Sequence, residues 1–360
     1  MRIAFHAPLK PPDHPVPSGD RQIARLLMAA LRQSGHEVEL VSRLRTREPD
    51  GDAERQRLLL DEADREIARL AGELSARPPD LWFTYHLYYK APDLIGPAVS
   101  QRLGIPYVVA EASDAPKRLE GPWSDFARRA RQAIGGADAV LTLNRADEAA
   151  VADLVAPERL HAMPPFIRTR PRPGKRQPAR RTVRLLAIGM MRSGDKLASY
   201  RELAAALRGL GSEDWQLTIV GDGPAAQQVR NAFAPVRNRV TWRGGIAPAH
   251  LAGIMRDHDL MVWPAVNEAF GMALVEGACL GLPIVAGRTG GVPDVVAHGQ
   301  TGLLVEPHDR HALMRAVRTL LRRPVVRRRL GGNAWRRATG WHGFAAAARK
   351  LDMILDELVR

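Results

Sequence analysis

Pro264-Ala265-Val266-Asn267-Glu268-Ala269-Phe270-Gly271-Met272-Ala273-Leu274-Val275-Glu276-Gly277 is the stretch on which the reading of the chain turns. The apolar run Leu260–Trp263 precedes it and reads as a buried strand. Phe270-Gly271 marks a turn, and a helix is expected to begin near Gly271. The start of a helix offers backbone N–H groups without intrahelical partners, which suits an anion. Glycine lets a phosphate approach the backbone closely. Glu268 falls in the loop before this helix. Glu276 falls on the helix, about one and a half turns in. Two carboxylates can then border one ligand at opposite ends. Spacing alone fits equally well two exposed glutamates at a helix start, where acids are favoured anyway.

Outward from this segment, strand and helix patterns alternate. Towards the C-terminus, Pro283–Ala286 and Leu303–Val305 read as strands. Towards the N-terminus, Val183–Ile188, Trp215–Val220 and Arg239–Trp242 do so. The first part of the chain repeats the alternation, with strands expected at Arg2–His6, Glu37–Ser42, Leu81–Tyr85, Tyr107–Ala110 and Ala139–Leu143. Residues 52–74 carry Leu59, Ala63, Ile67, Leu70 and Leu74 on one helical stripe. Such alternation predicts parallel sheets covered by helices on both faces. Between the halves, Pro164, Pro165, Pro171, Pro173 and Pro178 punctuate a basic run with no apolar periodicity, which reads as a linker. The organisation is therefore an α/β domain over 1–165, a linker over 166–182, a second α/β domain over 183–340 and a terminal helix over 341–360. That helix spaces Phe344, Ala348, Leu351, Leu355 and Leu358 along one face.

The 360 residues are 45% hydrophobic and 26% charged, values that exclude a wholly disordered chain. A single cysteine, Cys279, excludes an internal disulfide framework and fits a reducing compartment. No run approaches the ~20 apolar residues of a membrane span. The opening Met1-Arg2-Ile3-Ala4-Phe5 enters a strand rather than a signal sequence, so a cytoplasmic protein is expected. The net charge is +14, with eight basic residues and no acid over 168–184 and nine arginines and no acid over 315–337. These read as solvated basic surfaces, with attraction to an anionic membrane face as the functional alternative. No nucleic-acid-binding motif accompanies the charge, and a nucleic-acid partner is not expected.

Two other motifs compete for a role. Gly221-Asp222-Gly223-Pro224-Ala225-Ala226 matches a dinucleotide fingerprint and would suit an NADP-dependent oxidoreductase. It follows the second strand of its domain, however, and Thr241-Trp242-Arg243 stands where an acid is needed. Asp257-His258-Asp259 has the form of a metal-holding triplet but sits between a helix and a strand, where polar turn residues are ordinary. No metal site is expected.

The segment Asn267–Asp309, with Gly281-Leu282-Pro283, Thr289-Gly290-Gly291-Val292-Pro293-Asp294 and Gly299-Gln300-Thr301-Gly302-Leu303-Leu304-Val305, resembles the family-4, group 1 glycosyltransferases of GT-B fold. The likeness extends to Gly221-Asp222-Gly223-Pro224, to Trp242-Arg243-Gly244 and to Pro17-Ser18-Gly19-Asp20-Arg21. It implies two facing Rossmann-like domains with a cleft between them, and a C-terminal helix crossing back to the first. It implies retaining transfer of a hexosyl group from a nucleotide-diphosphate sugar, without metal or other cofactor, to a glycan, lipid or small-molecule acceptor. Carried over by position, Glu268 faces the donor sugar, Glu276 the ribose, and Gly271, Met272, Ala273 and Leu274 the phosphates and sugar. Asp222 and Gly223 also fall to the donor, and Gly19 to the diphosphate.

Two departures mark the chain. Met190 stands where the family has an Arg beside Gly189, which leaves Arg192 and Lys196 to neutralise the departing diphosphate, with Glu268 as the third catalytic residue. No His follows Ile105-Pro106, so Glu111, Ser113, Asp114 and the upstream His86 are the acceptor-side candidates. These departures keep two further readings open, a GT-B nucleotide-sugar epimerase and a catalytically idle, basic peripheral binding protein.

Overall fold

The computed structural model describes residues 1–16, 18–168 and 182–359. The expected linker 166–182 lies almost wholly outside them, as does most of the basic run 168–184. The described chain divides into two compact units, Met1–Phe166 together with Phe344–Arg360, and Ile167–Gly343.

In the first unit the order is β1 (Arg2–His6), α1 (Gly19–Gln33), β2 (Glu37–Leu40), α2 (Ala53–Ser75), β3 (Leu81–Leu87), α3 (Gly96–Leu103), β4 (Tyr107–Ala112), α4 (Ser124–Gly135), β5 (Ala139–Thr142), α5 (Arg145–Val151) and β6 (Leu160–Ala162). The second unit runs β7 (Val183–Ile188), α6 (Asp195–Arg208), β8 (Trp215–Val220), α7 (Ala226–Ala232), β9 (Val240–Trp242), α8 (Pro248–Arg256), β10 (Leu260–Trp263), α9 (Met272–Cys279), β11 (Ile284–Gly287), α10 (Val292–Val295), β12 (Gly302–Val305), α11 (Arg310–Arg322) and α12 (Pro324–Trp341). A last helix, α13 (Phe344–Val359), belongs to the first unit.

Each unit holds one six-stranded sheet, in the order β2-β1-β3-β4-β5-β6 and β12-β11-β10-β7-β8-β9. Every pairing between these strands is parallel. Helices cover both faces of such sheets, so their central strands are apolar throughout rather than alternating. Leu81–Tyr85, Val108–Ala110 and Leu260–Trp263 are accordingly buried at successive positions. Helix starts are fixed by short polar side chains. Ser18 accepts from Arg21 N–H, Asp52 from Glu54 and Arg55 N–H, and Asp309 from Ala312 N–H. The strand β6 was not expected; it is a three-residue edge strand with partly exposed side chains.

Both sheets change direction at an inner strand. The chain leaves β1 towards β2 and returns on the other side at β3; it leaves β7 towards β8 and returns at β10. Loops diverging from such a pair leave a crevice at the carboxyl ends of the strands, where ligands of open α/β sheets bind. Among the described residues, four of the five non-glycine residues with left-handed backbone lie at the carboxyl ends of β3, β4 and β10: His86 (φ 62°), Glu111 (φ 60°), Ala265 (φ 57°) and Asn267 (φ 49°). Backbone strain of this kind concentrates at functional sites.

Beneath the first crevice lies a fully buried polar network. Asp93 accepts from Ile95 N–H (3.0 Å), Gly96 N–H (2.9 Å), Thr84 Oγ1 (2.5 Å) and Tyr107 Oη (3.0 Å), and its Oδ1 is 3.3 Å from His6 Nδ1. Burial pushes the Asp93 carboxyl up, but His6 and these donors outweigh it and hold the group at about 2. Asp93→Ala should cost about 3–5 kcal/mol in a urea melt, because it strands the buried partners. The depressed carboxyl contributes stability above its unfolded value of 3.8, lost as pH falls towards 2. The difference in stability between the native chain and the variant should therefore shrink across that window.

Candidate active site

The crevice of the second unit is framed by the loop after β7 and the loop after β10. Lys196 stands in the first turn of α6 and Glu268 follows β10, 72 residues later. Lys196 Nζ donates to Glu268 Oε2, and Trp263 Nε1 donates to the same oxygen at 3.0 Å. Lys196 also sits 5.4 Å from the Trp263 ring centroid. The carboxylate is thus aimed by two donors. The neighbouring backbone is fixed as well. Asn267 Nδ2 donates to Asp195 Oδ2 at 2.9 Å, and Glu268 N–H to Thr289 Oγ1 at 3.4 Å. A Cβ at Gly290 would collide with the Glu268 carbonyl, so glycine is required there. Arg192 is half-buried on the same loop as Lys196.

Gly271 takes the left-handed conformation (φ 68°) and leads into α9. Glu276 is half-buried on that helix. The N–H groups at the start of this helix are not equally free. Leu274 N–H donates to Gly271 O at 2.6 Å and is therefore committed within the first turn. Met272 and Ala273 are left to offer the outward N–H groups, since an α-helix has no earlier carbonyl for them.

The Gly221–Ala226 turn packs against the β7 loop. Met191 N–H donates to Asp222 O and Ala225 N–H to Met191 O, both at 2.9 Å. A Cβ at Gly221 or Gly223 would strike the carbonyl of Gly189 or Met191. These glycines are accounted for by close packing of two loops, and Asp222 caps its neighbour Gly223 N–H at 2.8 Å. Asp257-His258-Asp259 is a turn: His258 Nδ1 lies 2.6 Å from Ile254 O, and Asp259 accepts Arg184 N–H at 3.0 Å. No group of three His, Cys, Asp or Glu among the described residues is arranged to hold a metal ion.

In the first unit Gly19 is the first residue of α1 rather than a loop residue, with open space where a Cβ would stand. His86 lies inside β3 rather than after it. Its Nδ1 is 3.3 Å from Asp20 Oδ1 and 3.6 Å from Glu111 Oε1. Burial lowers the imidazole, but Glu111 and Asp20 outweigh it and raise His86 to about 9. Burial raises Glu111 to about 7, against the pull of His86. Asp147, in the first turn of α5, adds a further carboxyl raised by burial, and Ser113 hydrogen-bonds to it. Asp20 and Asp147 are partners that the sequence reading missed; their only signal is placement in a helical first turn after a strand. Asp114 is not part of the group, since its carboxylate faces Arg131 on α4 at 3.6 Å.

Comparison with known proteins gives two family matches: "Glycosyl transferase 4-like domain" over residues 18–165 and "Glycosyl transferases group 1" over residues 182–323. The chain is 35% identical over 124 residues to a D-inositol 3-phosphate glycosyltransferase of Corynebacterium glutamicum; this match covers 34% of the chain and 29% of that relative. The match thus spans less than a third of the curated relative's length. Among solved structures, sucrose-phosphate synthase from Thermosynechococcus elongatus aligns over 99% of both chains with a TM-score of 0.77 and 19% identity. Anabaena HepE, solved with UDP-glucose, aligns over 99% of this chain and 100% of its own with a TM-score of 0.74 and 16% identity. These two likenesses establish the fold, two Rossmann-like units of GT-B type.

Raised carboxyl and imidazole groups favour the folded state at low pH, and the benefit disappears as pH rises through their folded values. Glu111 loses its share between 4.5 and about 7, and His86 between 6.5 and about 9. His86→Asn should therefore lessen the total fall in melting temperature between pH 4.5 and 9. It should also move the Glu111 titration, followed by carboxyl NMR, above 7.

Proposed function

Since the chain belongs to the family-4, group 1 glycosyltransferases, we propose that it moves a hexosyl group from a nucleotide-diphosphate sugar to an acceptor hydroxyl with retention of configuration. The observation that carries this reading is the Lys196–Glu268–Trp263 group at the crevice of the second unit. An arriving diphosphate competes with Glu268 for the ammonium. Once Lys196 turns to the phosphates, Glu268 is left held by Trp263 and free to accept hydrogen bonds from the donor sugar. Arg192 adds a second cation beside the departing group. The Met272 and Ala273 N–H groups meet phosphate oxygens, and Glu276 meets the ribose hydroxyls. The bond from the anomeric carbon to the diphosphate oxygen breaks and a bond to the acceptor oxygen forms on the same face. The acceptor proton passes to the departing diphosphate. Positioning and fixed charge supply the catalysis, with Lys196 and Arg192 in the place of a metal.

His86, Glu111 and Asp20 are assigned to the acceptor side, where a carboxyl near 7 and a cationic imidazole can orient a hydroxyl. Among the described residues no helix is long and apolar enough to cross a membrane. The exposed Arg315, Arg323, Arg328 and Arg329 of α11 and α12 and the segment between them support peripheral attraction to an anionic membrane face.

A thermal-shift series with UDP, GDP, ADP and their sugar conjugates tests the donor. One nucleotide should raise the melting temperature, and Glu276→Ala should abolish that rise. Glu268→Ala should lower transfer at least about 10²–10³-fold, the range for loss of one charge-stabilising group, while the chain stays folded by circular dichroism. An unchanged rate overturns the assignment. Trp263→Phe removes one hydrogen bond to a charged group, about 1.5–3 kcal/mol, and should cost roughly tenfold to a hundredfold in kcat/KM.

A further inference from the structure

Beyond His86, the loop after β3 carries a cluster that the donor chemistry does not use. Residues 88–91 form a tight turn, with Tyr88 N–H donating to Ala91 O at 3.3 Å and Ala91 N–H to Tyr88 O at 2.9 Å. Tyr89 and Lys90 occupy its tip. A continuous row of rings leads away from the imidazole. His86 and Tyr88 lie 5.5 Å apart between centroids, Tyr88 and Tyr89 5.5 Å, and Tyr89 and Trp123 5.7 Å. Two cations stand at the far end. Lys90 Nζ is 4.7 Å and the Arg118 guanidinium 5.1 Å from the Trp123 ring centroid, and Arg118 is 5.4 Å from the Tyr89 centroid. A third cation, Arg47, meets the Tyr88 hydroxyl.

Neither Lys90 nor Arg118 is ion-paired among the described residues. Lys90 spends one donor on Pro49 O at 2.8 Å. Arg118 Nε is buried without a hydrogen-bond partner, which costs free energy. Aromatic faces attract cations, but they do not cancel the repulsion between two like charges sharing one ring. Hydrogen bonds tether the platform before any ligand comes. Trp123 Nε1 donates to Glu48 O at 3.3 Å, Glu48 N–H donates to Lys90 O at 2.8 Å, and Gln56 Nε2 donates to Pro122 O at 2.8 Å. Such preorganisation lowers the cost of binding.

We propose that Lys90 and Arg118, held on Tyr89 and Trp123, form the subsite for an anionic substituent of the acceptor. The acceptor is then a sugar or polyol bearing a phosphate or carboxylate, rather than a neutral glycan. The identity of the bound anion as an acceptor rests on the glycosyltransferase reading; the anion site itself does not.

Calorimetric titration of the full chain with glucose, glucuronate and glucose 6-phosphate tests it. The anionic sugars should bind at least tenfold more tightly than glucose. The double variant Lys90→Gln/Arg118→Gln should lose that preference, Lys90→Arg should keep it, and Lys196→Gln should leave it intact. Which anion binds better separates phosphate from carboxylate. Sedimentation with phosphatidylcholine vesicles, with and without phosphatidic acid, separates a lipid-borne phosphate from a soluble one, if it depends on Lys90 and Arg118. Equal affinity for glucose and both anions, with sedimentation indifferent to the double variant, overturns the proposal. So does anion binding that is lost in Lys196→Gln but survives the double variant. Failure of the glycosyltransferase reading shows separately, as absence of any nucleotide-induced thermal shift in a preparation that still binds the anion.

Discussion

The contact between Lys196 and Glu268 is the constraint around which the second unit is arranged. It joins the two sides of the place where the sheet reverses its order, β7 on one hand and β10 on the other. A carboxylate and an ammonium brought together without other partners would satisfy each other and leave nothing for a ligand. The indole of Trp263 changes that balance, because it donates to the same carboxylate oxygen and lies under the ammonium. The pair can then separate without abandoning Glu268 in a poorly solvated place. The left-handed residues Ala265 and Asn267 and the obligatory glycine at 290 serve this geometry, bending the chain so that the carboxylate faces back across the crevice.

The two units use the same sheet topology for opposite electrostatic purposes. In the second, cations of the β7 loop and first-turn N–H groups gather at the strand ends, an environment for phosphates. In the first, three carboxyls surround one imidazole, which holds His86 protonated up to about 9 while burial raises Glu111 to about 7. The Asp93 network beneath explains how such a cluster is tolerated. It ties β1, β3 and β4 together through the side chains of His6, Thr84 and Tyr107, beneath the strained backbone at His86 and Glu111.

Much of the architecture was legible because parallel strands covered on both faces are written as unbroken apolar runs. Leu260–Trp263 is such a run, and Val183–Ile188 and Trp215–Val220, interrupted only by Arg184 and by Gln216 and Thr218, also match their observed bounds. The edge strand β6 has no such run and left no trace. The glutamate pair on either side of Gly271 was visible as a motif, but the commitment of Leu274 N–H within its own turn was not, since it depends on the left-handed geometry of Gly271. The grouping of Asp20, His86, Glu111 and Asp147 was out of reach of local pattern. Four separate elements contribute one residue each, and only the strand order brings them together.

The return of α13 to the first unit has a consequence for how the protein is made. Ser34 Oγ donates to Ala348 O at 3.3 Å, and His36 Nε2 meets Asp352 at 3.0 Å, so this helix is built into the face beside α1. Leu351 and Leu355 are fully buried within the same unit. The residues that begin the chain therefore wait for residues near its end before their fold is complete. At a synthesis rate of about 5–20 residues per second, the first unit spends on the order of ten seconds or more with an apolar face uncovered while the second is translated. The second unit is contiguous in sequence and needs no such delay, so on the ribosome the later unit can finish before the earlier one.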